Sequence, residues 1–154
     1  MPEETKERIK GVVANHSLFH SRKTAVPQFF EDVDPWKLRL SRHKLVQQHE
    51  GSGRKNLYIA SYIHHLEGMD LEESSALIRE LLDHLSKPKY RVTISWEQNT
   101  DMMIWDNTCV AHRATGGSYE GKHPRDMRRT TVKDMSSSRF GLNGEGASWR
   151  VGLP

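Results

Sequence analysis

The sequence predicts an α+β domain dominated by antiparallel β-structure in its second half, and three observations predict it. Apolar residues recur at helical spacing between residues 71 and 85, the period switches to two over residues 90–96, and a Gly-containing stretch at 50–54 separates two strand-like runs. A length of 154 residues fits one domain with a real core and excludes two of typical size.

The elements follow in order. Pro2 before Glu3 and Glu4 suits a first helical turn, and Ile9, Val12, Val13, His16 and Phe19 or His20 recur at helical spacing, which predicts an amphipathic N-terminal helix. Residues 21–35, with Pro27, the acidic run Glu31-Asp32-Val33-Asp34 and Pro35, predict a loop. Residues 42–49 and 55–60 read as an antiparallel hairpin across Glu50-Gly51-Ser52-Gly53-Arg54. Asp70 as an N-cap, Glu73 three residues later, a Leu71/Leu77/Ile78/Leu81/Leu82/Leu85 stripe and the stop at Pro88 predict a helix. Tyr90, Val92, Ile94 and Trp96 alternate with Arg91, Thr93 and Ser95 as on a half-buried strand. Shorter strands are expected at 102–105, 109–112 and 125–132, and residues 135–154 form a Ser- and Gly-rich tail, ordered or fraying.

Composition narrows the function. Charged residues are 28% and hydrophobic ones 35%, with a mean hydropathy of −0.75, yet four Trp, four Tyr and four Phe argue for a folded chain. The 23 Lys+Arg and 20 Asp+Glu are interleaved, so a net +3 offers no basic stripe for nucleic acid. No apolar run is long enough to span a membrane, and Met1-Pro2-Glu3-Glu4 does not resemble a signal peptide, so the expected compartment is the cytoplasm. The single Cys109 excludes an internal disulfide and a Cys-rich metal site.

Nine histidines remain as candidates for chemistry. His65-Leu66-Glu67 has the His-x-acid spacing of a facial metal triad, but it precedes the helix at Asp70 and reads as a surface loop. His16, His20, His43, His49, His64 and His84 have no metal-ligand company in sequence, and His49 reads as part of a turn. On a strand, residues four apart share a face, so Arg125 and Arg129 would project together. Two such guanidinium groups suit a carboxylate or sulfonate, although two exposed strand arginines fit the same spacing.

The text WDNTCVAHRATGG followed by PRDMRRTTVKD resembles the C-terminal motif of the taurine dioxygenase and dichlorophenoxyacetate dioxygenase (TauD/TfdA) family. RHKLVQQHEGSGRKNLYIA is similar to that family's hairpin, the helix at Asp70 falls where the family has one, and the resemblance covers residues 42–134. The ending GASWRVGLP resembles fungal-type members. The resemblance implies the C-terminal portion of a double-stranded β-helix, jelly-roll-like, with flanking helices, and an iron(II)- and 2-oxoglutarate-dependent oxygenase. Carried over by position, His112 matches the family's second iron-binding histidine. Arg125 matches the residue that pairs with the distal carboxylate of 2-oxoglutarate. Arg129 matches a substrate-anion arginine or a second co-substrate anchor, and Trp105, Asp106 and Asn107 match a structural turn. No side chain is assigned as a proton donor or nucleophile, because the resemblance places oxidation on the metal with O₂.

The family's remaining ligands form a His-x-Asp motif, and this sequence contains none. The expectation is a single, incomplete family domain over residues 1–154, truncated to the C-terminal half and inactive alone, with unpaired strand edges that favour a homo-oligomer or a completing partner chain. The expected substrate is a small anionic organic molecule, with neither nucleic acid nor membrane as partner. A non-catalytic carboxylate-binding or interaction protein derived from the same fold is the alternative.

Overall fold

The structure, a computed structural model, describes residues 1–144. Pro2 opens α1 (Glu3–Arg8), with acids in its first turn and Lys6 and Arg8 in its last, as the helix dipole favours. The helix is shorter than its apolar spacing predicts. Gly11 adopts φ +78°, a left-handed conformation that a side chain disfavours, and the chain reverses into β1 (Val13–His16). Val12 and Val13 fit a helical stripe and a strand equally well; pairing on both edges decides for the strand. β1 is the centre of an antiparallel sheet between β2 (Ser41–Lys44) and β5 (Ile63–Leu66), which buries Ala14, Asn15 and His16.

α2 (Leu18–Ala25) follows at once, capped by Ser17 Oγ, which accepts from the His20 N–H at 3.0 Å. The predicted loop over 21–35 therefore begins as helix, and it continues through 3-10 turns at Pro27–Phe29 and Pro35–Lys37. The expected strand over 42–49 changes partners midway. Leu45, fully buried, donates to Val12 O on one side and accepts from the Tyr58 N–H on the other, dividing β2 from β3 (Val46–Gln48). β3 pairs antiparallel with β4 (Lys55–Leu57), Val46 opposite Leu57, which is the expected hairpin.

α3 (Leu71–Leu85) carries the expected capping box: Asp70 accepts from the Glu73 N–H at 2.9 Å and Glu73 Oε2 accepts from the Asp70 N–H at 3.3 Å. Leu77, Ile78 and Leu81 pack with Ile63 and Leu66 of β5 and with Ile9, Ala14, Leu45 and Ile59 in one core. Buried Ser74 Oγ accepts from the Leu66 N–H at 3.0 Å, tying helix to strand. Asp70→Ala is expected to cost about 1 kcal/mol, read as a shifted urea midpoint at unchanged slope.

The alternating segment beyond α3 departs from expectation. After a 3-10 turn at Pro88–Tyr90, residues 91–134 form no regular strand among the described residues, so the expected strands over 90–96, 102–105, 109–112 and 125–132 are absent. Alternation alone cannot hold a strand, which needs a hydrogen-bonded neighbour and a surface to cover its apolar face. Here Val92 is 80% and Ile104 83% exposed. The described part of the tail is ordered instead. Leu142 N–H donates to Arg42 O, Arg42 N–H donates to Asn143 Oδ1, and Asn143 Nδ2 donates to Leu40 O, covering the edge of β2. Gly141 permits this approach: its φ is +57° and a Cβ there would lie 2.1 Å from Arg42 O. The ending at 146–154 lies outside the described residues.

Candidate functional site

His112 and the two arginines lie in the exposed segment beyond α3. The His112 ring rests on Trp105, with centroids 4.8 Å apart. Arg125 Nη2 lies 3.6 Å from Met127 Sδ, and its side chain lines a shallow cavity of about 300 Å³ with Thr115, Tyr119, Glu120 and His123. Arg129 is exposed. No hydrogen bond, ion pair or ring contact joins these three among the described residues, and the strand expected to align the arginines is not formed. Among the described residues, His112 belongs to no group of three donors close enough to share a cation. The described residues do not by themselves build an iron site.

Trp105-Asp106-Asn107 forms the turn expected of it. Trp105 Nε1 donates to Asn107 Oδ1 at 2.7 Å, and Asp106 Oδ1 accepts from the Thr108 N–H and hydroxyl at 2.8 and 2.6 Å. These Thr108 hydrogen bonds hold the Asp106 carboxyl below its usual range, with a smaller contribution from His49. The turn is docked on the β3–β4 hairpin. His49 Nε2 lies 3.0 Å from Asp106 Oδ2, and Asn56 Nδ2 donates to Thr108 O at 3.4 Å. His49 thus meets a carboxylate from a turn 57 residues away, and exposed Cys109 completes a group of three donors.

Five other histidines fall into two clusters, while His84 packs on Tyr90 with ring centroids 4.8 Å apart. His16 on β1 and His43 on β2 pack with Tyr58, and His16 also meets Tyr62. Among the described residues neither ring nitrogen of buried His16 has a hydrogen-bond partner, and burial pushes its pKa down to about 3. This corrects the expectation of a helix-face histidine. The second cluster holds His20, His64 and His65 against Trp36, with His64 Nδ1 and His65 Nδ1 3.0 Å apart. Burial, then His20 and His65, push His64 down to about 4.

His65-Leu66-Glu67 is not a surface loop. Its first two residues end β5, and Glu67 is held by Arg42 through Nε at 2.6 Å and Nη2 at 2.9 Å and by Asn15 Nδ2 at 3.2 Å. That carboxylate is committed to a fork-shaped ion pair, which depresses its pKa and leaves it a poor metal ligand. Among the described residues, no helix is long and apolar enough to cross a membrane.

A sequence profile described as "Taurine catabolism dioxygenase TauD, TfdA family" matches residues 1–131. The chain is 34% identical over 149 residues to the alpha-ketoglutarate-dependent 2,4-dichlorophenoxyacetate dioxygenase of Burkholderia sp. (strain RASC), covering 97% of this chain and 48% of that enzyme. It is 29% identical over 143 residues to the alpha-ketoglutarate-dependent sulfate ester dioxygenase of Pseudomonas putida, covering 86% of this chain and 45% of that enzyme. The chain therefore spans about half the length of these relatives. Among solved structures, it is similar to AAD-2 in complex with Mn(II) and N-oxalylglycine, at a TM-score of 0.56 and 28% identity, over 63% of this chain and 38% of that one. With a mixed α/β architecture, antiparallel sheets and a family profile covering most of its length, the chain belongs to the TauD/TfdA dioxygenase family.

Proposed function

We propose that this chain supplies the C-terminal half of an iron(II)- and 2-oxoglutarate-dependent dioxygenase that uses O₂ to hydroxylate a small anionic organic substrate in the cytoplasm. The observation that carries this reading is the ordered set Trp105-Asp106-Asn107, His112, Arg125 and Arg129 in a chain of this family. His112 is one metal ligand, Arg125 holds the distal carboxylate of 2-oxoglutarate, and Arg129 faces the substrate anion or gives the co-substrate a second anchor. Iron, when bound, activates O₂ with the co-substrate; the arginines fix charged ends so that one C–H bond is presented. In this reading residues 90–132, which form no strand in this chain alone, pair as strands of a jelly-roll-like double-stranded β-helix when a completing chain covers them, a role supported by their alternation and by the exposed apolar residues they carry. One metal-ligand histidine without a His-x-Asp motif leaves the 154-residue chain inactive by itself, a single family domain in need of a second copy or a completing chain.

Arg125→Gln tests the assignment. A fork-shaped charged contact gives an expected loss of about 10- to 100-fold in 2-oxoglutarate affinity, measured by NMR titration of the full chain. Arg129→Gln is expected to weaken phenoxyacetate binding more than 2-oxoglutarate binding. The chain with Fe(II) is expected to show no 2-oxoglutarate-coupled O₂ uptake. Unchanged 2-oxoglutarate binding in Arg125→Gln would remove the carry-over.

A further inference from the structure

The Asp106 turn meets the β3–β4 hairpin through three side chains that suit a cation. We propose that His49, Asp106 and Cys109 form a binding site for a zinc-type divalent transition metal, sharing no residue with His112, Arg125 and Arg129. One donor atom from each side chain lies within 4.8 Å of the others. Tetrahedral zinc, with bonds of about 2.0–2.3 Å, sets its donors roughly 3.5 Å apart. The His49 and Asp106 donors are already 3.0 Å apart, and exposed Cys109, whose Sγ donates to Asp106 O at 3.7 Å, sits on the same turn.

The surroundings orient these donors. His49 Nδ1 is engaged by Ser52 Oγ at 2.8 Å, which directs Nε2 toward Asp106, as outer hydrogen bonds do for metal-bound imidazole. Asp106 divides its oxygens: Oδ1 is saturated by Thr108, and Oδ2 faces His49. Imidazole, thiolate and carboxylate together select a borderline-soft ion such as zinc over calcium or magnesium, which favour all-oxygen sites. Proton loss opposes binding, because burial and Asp106 raise the Cys109 pKa, whereas Arg54 lowers it; a dication would draw thiolate and carboxylate together and release that proton, so affinity should rise with pH. Binding would pin segments 57 residues apart in sequence and leave a fourth position for water.

Cobalt(II) titration of the full chain under a non-chelating reductant tests the site. The expected result is one thiolate-to-cobalt charge-transfer band per chain with tetrahedral ligand-field absorption, displaced by zinc. His49→Gln and Asp106→Asn should abolish the tetrahedral spectrum, Cys109→Ser should remove zinc binding measured calorimetrically, and Ser52→Ala should weaken affinity about 10-fold. His112→Ala and His64→Gln should leave the signal intact. Far-ultraviolet circular dichroism confirms that each variant is folded, and exposed Cys109 gives a variant free of packing loss. The proposal is overturned by absence of the band, by its persistence in both His49→Gln and Asp106→Asn, by undiminished zinc affinity in Cys109→Ser, or by loss of the signal in His112→Ala.

Discussion

Acidification is expected to destabilise the three-stranded sheet through His16. Its pKa falls from 6.5 to about 3 on folding because burial penalises the imidazolium, so the unfolded chain binds the proton more tightly. The stability this group permits is fully present above pH 6.5 and is lost as pH falls toward 3. The slope approaches about 1.4 kcal/mol per pH unit within that window, for a total of roughly 3–5 kcal/mol. His43 and His64, whose pKa values are lowered first by burial, act in the same direction. His16→Phe keeps a ring against Tyr58 and Tyr62 while removing the titrating nitrogens. Urea unfolding across this pH range should give a flatter profile for the variant, and superimposable profiles would refute the assignment.

Leu81→Ala is the second large effect. Leu81 is completely buried where α3 meets the sheet, so its truncation loses apolar burial and leaves a cavity beside Leu66 and Leu77. The expected cost is about 2–5 kcal/mol. Leu71, on the same helix but 51% exposed, is the control, and Leu71→Ala should stay within about 0.5 kcal/mol. Equal shifts in chemical denaturation would mean that α3 does not seat on this core.

The two results bear on different parts of the chain. The described core is built from residues 9–81, with buried His16 on β1 and Leu81 on α3. The residues of the Trp105–Arg129 run lie beyond it, and their hydrogen bonds to the β3–β4 hairpin are polar: His49 to Asp106 and Asn56 to Thr108. Such contacts place a turn but bury little apolar area, and the hydrophobic term is the larger source of stability.

What the sequence determined by itself is the structure that rests on neighbours in the chain. Asp70 and Glu73 cap α3 from three residues apart, Leu77 and Leu81 share a face at helical spacing, and Gly53 allows the turn between β3 and β4. The run that resembles the family's motif is contiguous as well, from Trp105 to Arg129. Tertiary structure decided the rest. Val12 and Val13 fit a helix until β2 and β5 pair with β1; Glu67 looks available until Arg42 and Asn15 engage it; and His49, held locally by Ser52, meets a carboxylate only when a turn 57 residues away folds onto it. Tyr90 to Trp96 shows the converse, for perfect alternation forms no strand where nothing pairs with its backbone. A helix closes its hydrogen bonds within one stretch of chain, whereas a strand or a multi-residue site depends on residues that the sequence holds far apart.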